Sequence, residues 1–188
     1  MIILLSKLAE ETKNTLLTVI RGAGEIGVTL QTAVKDNVIS ALKSVGQITT
    51  TVTGVVSEIV QGAIVAASQT GTTLTTASKN VAVGAIKGAL EVGVSSVDAT
   101  QKVVTGAIKG AAEVGGDVAS VAVSSVEGAI EAAGAIGADT EEATKMAVMT
   151  AVKAADEIGT EAGQSVRKAL LSAASLPKDV VKAVLGEK

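Results

Sequence analysis

Apolar residues in this chain recur three or four positions apart, and the whole pattern recurs every 22 residues. The segment Gly84-Ala-Ile-Lys-Gly-Ala-Leu-Glu-Val-Gly93 returns as Gly106-Ala-Ile-Lys-Gly-Ala-Ala-Glu-Val-Gly115, a step of 106 − 84 = 22. Further copies start at Gly128 and Thr150, and earlier ones at Gly62, Ser40 and Thr18. One column of the repeat reads Ile20, Leu42, Ile64, Ile86, Ile108, Ile130, Val152. Three residues on comes Ala23, Val45, Ala67, Ala89, Ala111, Ala133, Ala155, and three further Ile26, Ile48, Thr70, Val92, Val114, Ile136, Ile158. That spacing is the signature of one helix face. A strand would need alternation, which Ala107-Ile108 and Ala132-Ala133 break. Arg21/Glu25, Lys87/Glu91, Lys109/Glu113 and Lys153/Glu157 are spaced as i,i+4 pairs, which also fits helix. The pattern predicts an all-α fold of long amphipathic helices. Each 22-residue unit reads as two hendecads, and the helices form a hairpin or bundle within an oligomer.

The phase runs unbroken from Thr18 to Gly159. Residues 1–171 therefore read as one continuous array of tandem repeats, and 172–188 as a short C-terminal helix after the break at Pro177. Glycine recurs at positions 27, 71, 93, 115, 137 and 159. Such glycines either end helices or lie inside them. The charge pattern runs in phase through Gly93 and Gly115, which predicts mid-helix positions there. Gly137 is followed by Asp139, Thr140 and Glu142, which predicts a helix end and a new cap. Gly84/Gly88 and Gly106/Gly110 have the spacing that lets backbones approach closely. Bends are expected in the Thr-rich stretch between Thr49 and Thr76.

Composition narrows the chemistry. The 188 residues include no Phe, Tyr, Trp, His or Cys, so any core must be built from Val, Ile, Leu and Ala. With 47% hydrophobic residues and a mean hydropathy of +0.49, the chain is too apolar for the disordered class. A formal net charge of −3 and dispersed cations argue against a nucleic-acid partner. Lacking His and Cys, the chain has neither the commonest general base nor a thiolate nucleophile. Glu141-Glu142 and Asp156-Glu157 read as solvated helix face, with no oxygen-rich loop beside them for a cation. Gly22-Ala-Gly24-Glu-Ile-Gly27 spells G-x-G-x-x-G but follows helix rather than strand, so it fails the context of a dinucleotide site. No catalytic residue, cofactor site or metal site is expected, and the protein is read as a non-enzyme.

The apolar stripe is the remaining signal. It is rich in Ala and Val, and its flanks are largely Thr, Ser and Gly. Units such as Val103-Val-Thr-Gly-Ala-Ile-Lys-Gly-Ala-Ala-Glu-Val114 resemble the eleven- and 22-residue tandem repeats of synucleins, perilipins and exchangeable apolipoproteins, with phasin-like granule coats as a variant. That resemblance implies reversible coating of membranes or droplets by amphipathic helices. Two roles follow for the columns named above. They serve as a self-association face, giving a homo-oligomeric scaffold or coat, or as a face for lipid or apolar cargo. A stalk or tether in a larger complex is a third reading. Neither a signal peptide nor a convincing transmembrane helix is read, although Ile59 to Ser78 is about one span long. The expected location is cytoplasmic or peripheral to a membrane or droplet.

Overall fold

A computed structural model describes residues 10–11, 13–18, 26–45 and 50–186, and the statements below concern those residues. They form α1 (Ile26–Val45), α2 (Thr50–Gln69), α3 (Leu74–Glu91), α4 (Ser96–Glu113), α5 (Val118–Ala135), α6 (Thr140–Ile158), α7 (Thr160–Ser172) and α8 (Lys178–Leu185). Residues 13–18 are helical as well, and no strand occurs among the described residues. The all-α reading with a 22-residue repeat holds.

The repeat has a different physical content from two hendecads of continuous helix. Helices α3, α4 and α5 each have 18 residues, which is five turns at 3.6 per turn. Residues 92–95, 114–117 and 136–139 follow them in turn, so 18 + 4 = 22. The second residue of each turn is a glycine in the left-handed region: Gly71 (φ 75°), Gly93 (89°), Gly115 (65°) and Gly137 (72°). Gly93 and Gly115 therefore end helices, against the mid-helix expectation, and Gly137 ends one as expected.

The bonding around these glycines is the Schellman pattern, in which the last carbonyls are satisfied by amides beyond the helix. Gly93 N–H donates to Leu90 O (3.0 Å) and Val94 N–H to Ala89 O (3.0 Å). The same pair recurs as Gly115 to Ala112 and Gly116 to Ala111, then as Gly137 to Gly134 and Ala138 to Ala133.

Two residues after each glycine stands the next N-cap. Thr73, Ser95, Asp117 and Asp139 are all extended, and each side chain accepts a backbone N–H of the following first turn. At Asp139 the donors are Glu141 N (2.8 Å) and Glu142 N (3.1 Å).

Consecutive helices are antiparallel, and the closest packing is between helices two apart: α1 on α3, α2 on α4, α3 on α5. The chain is thus a two-layer stack. One layer holds α1, α3, α5 and α7, and the other α2, α4, α6 and α8. Leu16, in the segment before α1, joins the common core, and Glu10 and Lys13 border α2 at Gln61 and Val65.

Small residues set the spacing within a layer. A Cβ on Gly84 would collide with the Gln31 carbonyl, one on Gly106 with the Ser57 carbonyl, and one on Gly128 would lie 2.6 Å from the Lys79 carbonyl. Gly88 and Gly110 are nearly as tight, against Lys35 and Ile64. The small-residue spacing was legible, and it serves contacts within the chain.

The core between the layers is aliphatic, with Ile59, Ile64, Ile108, Val81, Val104, Val126 and Val148 all fully buried. Buried hydroxyls bond back into their own helices. Ser125 donates to Val121 O, Thr144 to Thr140 O and Thr150 to Met146 O.

At the C-terminal end the regular turn is lost. Gly159 alone, with extended backbone (φ 163°), joins α6 to α7. A two-point Arg167–Asp156 pair (2.9 and 2.6 Å) braces this joint. Pro177 caps α8, which packs on α6 and α7.

The Thr-rich stretch bends at residues 70–73, while Thr50–Gln69 is one helix. That turn also divides Ile59 to Ser78, which is therefore not a single span. One helix among the described residues, Val118–Ala135, is long and apolar enough to cross a membrane, and half of it is buried in the stack.

Candidate functional site: a lysine-rimmed cleft between stacked helices

The predicted apolar face lies mostly inside. Ile64, Ala67, Ala89, Ile108, Ala111 and Ala155 are fully buried, and Leu42, Ile86 and Ala133 nearly so. Ile130, Val152, Val92 and Val114 are half-buried. Ile136 (46% exposed) and Ile158 (43%) reach solvent at helix ends. Ile20, Ala23 and Ile48, and the side chains of Ile26 and Val45, lie outside the described residues. So do Arg21/Glu25 and most of the G-x-G-x-x-G stretch. The columns expected to meet a second chain or a lipid surface instead meet the next helices of the same chain. An 18-residue helix in the middle of two layers has neighbours on several sides, so its apolar residues are used up within the fold.

The charged residues behave likewise. Among the described residues, ion pairs run between helices more than along single ones. Lys35 on α1 bonds Glu91 on α3 (2.6 Å), and Lys79 on α3 bonds Glu131 on α5 (3.1 Å). Gln61 on α2 donates to Glu113 on α4 (2.6 Å), and Gln31 on α1 to Asn80 on α3 (2.7 Å). Glu91 and Glu113 thus face partners on another helix instead of Lys87 and Lys109, as the i,i+4 reading had them. The i,i+4 ion pair the structure does show is Lys145–Glu141 (2.5 Å). The Lys35 ammonium holds the Glu91 carboxyl below its usual range, chiefly by hydrogen bonding, and Glu91 raises Lys35 in turn. Arg167 does the same to Asp156.

One interval in the stack is open. Between α4 and α6 lies a cleft of about 520 Å³, lined by Gln101, Lys102, Thr105 and Lys109 on one side and Met146, Met149, Thr150, Lys153, Ala154 and Glu157 on the other. The sequence register explains it. Gly106 and Gly110 let α4 close on α2, but 44 residues later the same positions are Thr150 and Ala154 (106 + 44, 110 + 44). Side chains now stand where the backbone approached, so α6 cannot close on α4 as α4 closes on α2. Inside the gap, the Gln101 amide bonds the Met146 sulfur (3.0 Å). Lys102, Lys109 and Lys153 stand around it, and no carboxylate lies within ion-pair distance of any of them among the described residues. Sequence reasoning missed this cleft. Its signal was the replacement by Thr150 of a glycine that occupies this column in the four preceding units, Gly62, Gly84, Gly106 and Gly128.

A second, smaller cleft of about 240 Å³ lies in the same layer beside Glu10, Glu58 and Glu113, so the two differ in sign. Among the described residues no group of His, Cys, Asp or Glu is disposed to hold a metal ion.

No protein-family model matches the sequence, and neither does any curated protein. Among solved structures, the chain is similar to the crystal structure of the de novo designed helical repeat protein DHR7. The TM-score is 0.54 at 20% identity, over 99% of this chain and 97% of that one. The likeness is one of fold: this is a helical repeat architecture, in which short units stack along one direction.

Proposed function

We propose that the protein is a non-enzymatic scaffold, a pre-formed helical stack whose outer faces present binding surface to other molecules. One observation carries this reading: the apolar columns are filled by the chain's own helices. Four large apolar side chains stand exposed among the described residues, Val28 on α1, Ile136 after α5, and Met149 and Ile158 on opposite sides of α6, so they form no continuous face. A lipid coat would need a continuous apolar face on each helix. Self-assembly through the Ala/Gly/Ile stripe would need that stripe to be free. The outward residues of α7 and α8, among them Glu161, Gln164, Lys168, Lys178 and Lys182, are polar, which supports a capping role for this end. Polar ends are how stacked repeats stop growing.

Sedimentation equilibrium at micromolar concentration, combined with circular dichroism with and without vesicles, tests this reading. The expected result is full helix content without lipid, no flotation with neutral or anionic vesicles, and a monomer. Helix gained on adding vesicles, together with flotation, would restore the lipid-coat reading. A defined or open-ended oligomer would restore the homo-oligomeric coat.

A further inference from the structure

The geometry points to the α4–α6 cleft as a docking site for an acidic polypeptide segment, a specific use of the scaffold proposed above. The cleft is the place in the stack where layer neighbours fail to close, and its volume lies within the range of ligand-binding clefts. Its charge is the opposite of the molecule's. The chain carries a net charge of −3, yet the cleft brings together Lys102, Lys109 and Lys153 against Glu157. Two lysines elsewhere in the stack reach carboxylates on the neighbouring helix of their layer, Lys35 at Glu91 and Lys79 at Glu131. The register that pairs Lys79 with Glu131, a separation of 52, places Gln101 beside Lys153 and Ser57 beside Lys109. These two lysines are therefore left for an external anion.

The lining favours a polypeptide over a phosphate compound. Its lysines are spread along the cleft instead of converging on one point, which suits side-chain carboxylates spaced along a chain. Met146 and Met149, polarizable and adaptable, give apolar footing between the charges. Lys102 and Lys109 stand two helical turns apart, roughly 10 Å along α4. A polyproline II segment, with three residues per turn and a rise of about 3.1 Å each, puts positions i and i+3 on one face about the same distance apart. The site therefore fits an acidic segment with carboxylates at i and i+3 and an apolar residue between.

The test is fluorescence anisotropy with a labelled peptide of repeated Glu-Leu-Ala, against its Gln-Leu-Ala counterpart, using the full chain. The acidic peptide is expected to bind at low ionic strength and to weaken at least tenfold at high ionic strength. The double variant Lys109→Gln/Lys153→Gln should weaken it at least tenfold with an unchanged melting curve, because both side chains are exposed. Lys87→Gln, on the other layer, should leave binding as it is. Equal binding of the Gln-Leu-Ala peptide, unchanged binding by the double variant, or no binding at low ionic strength would each overturn the proposal. Displacement by inorganic pyrophosphate at concentrations equal to the peptide would overturn it in favour of a phosphate site. Loss of a dimer on Lys109→Glu would overturn it in favour of a second copy. Apart from the dimer, these outcomes leave the sedimentation and flotation results as they are, so failure of the docking proposal and failure of the scaffold reading are distinguishable.

Discussion

A Cβ at Gly115 or Gly137 would have space around it, since no heavy atom lies within 4 Å, but the backbone forbids it. Both residues sit at φ near +70°, where an L side chain meets its own carbonyl. Gly115→Ala and Gly137→Ala are accordingly expected to lower stability in the same direction, by about 1 kcal/mol each, in urea titrations of the separate variants. Opposite shifts would mean that the two turns are not equivalent.

The caps two residues later are also open to test. The Ser120 hydroxyl, together with the Ser120 and Ala119 amides, holds the Asp117 carboxyl below the usual range. A carboxylate whose folded pKa is lowered contributes stability above its unfolded value and loses it as pH falls through the folded one. Asp117→Ala should therefore cost about 1 kcal/mol at neutral pH, the ordinary worth of an N-cap. The gap to wild type should narrow below about pH 4. Denaturant titrations at neutral and acid pH read this directly, and a gap independent of pH would deny the carboxylate its role.

At the scale of the element, two helical glycines that look alike in sequence should respond with opposite sign. Gly106→Ala inserts a methyl group into the Ser57 carbonyl and the Val60 side chain, and α4 must move off α2. Such overpacking costs about 1–3 kcal/mol. Gly134 is exposed near the end of α5, and its nearest neighbour is Thr140 Cγ2 at 3.7 Å. Gly134→Ala should therefore gain up to about 1 kcal/mol from helix propensity. Thermal melts of the two variants test the pair, and a loss at both sites would show that α5 also has a close neighbour there.

The same comparison shows why the helices were legible and their ends were not. The 3.6-residue spacing at Ile86, Ala89 and Ile108, Ala111 carries helix, whatever joins the segments. Because five turns plus a four-residue connection total 22, the apolar phase passes through Gly93 and Gly115 as if no turn intervened. Loops of varying length would break that phase, which is why constant phase reads as continuous helix. In a stack the loops do not vary, since every turn must deliver the chain to an equivalent slot. The distinguishing signal was present two residues on. Gly71-x-Thr73, Gly93-x-Ser95, Gly115-x-Asp117 and Gly137-x-Asp139 repeat a terminator followed by a cap. Only the last was read as such, because Glu142 completed a familiar motif. The buried fate of Ala89 and Ala111 could not be read at all. A face can be found from one helix, but what covers it depends on helices 22 and 44 residues away.

For the molecule as a whole, the sequence period is half the structural one. Helices in the same layer are 44 residues apart, yet the sequence repeats every 22, so α3 and α4 carry the same Gly-Ala-Ile-Lys-Gly-Ala segment in opposite layers. Each helix must then use the same faces toward its predecessor, its successor and the helix two away. Consecutive units are related by one repeated operation, and the layer to which a helix belongs depends on where the count begins. This permits a strong prediction. Deleting residues 96–117 removes one helix and one turn (117 − 96 + 1 = 22) and joins Ser95 to Val118. Every later helix changes layer, but α5 brings Gly128 and Ala132 to the places of Gly106 and Gly110 on α2. The shortened chain should fold cooperatively, with unchanged helix content per residue and a lower melting temperature, since repeat stability is close to a sum over units and interfaces. It should also lose the acidic peptide, because Lys102 and Lys109 leave with α4. A deletion of eleven residues, 96–106, preserves the hendecad phase but cuts α4 in half. It should unfold the stack locally and broaden the transition. If the two deletions behaved alike in circular dichroism and calorimetry, the unit of this protein would be the eleven-residue block and not the helix with its turn.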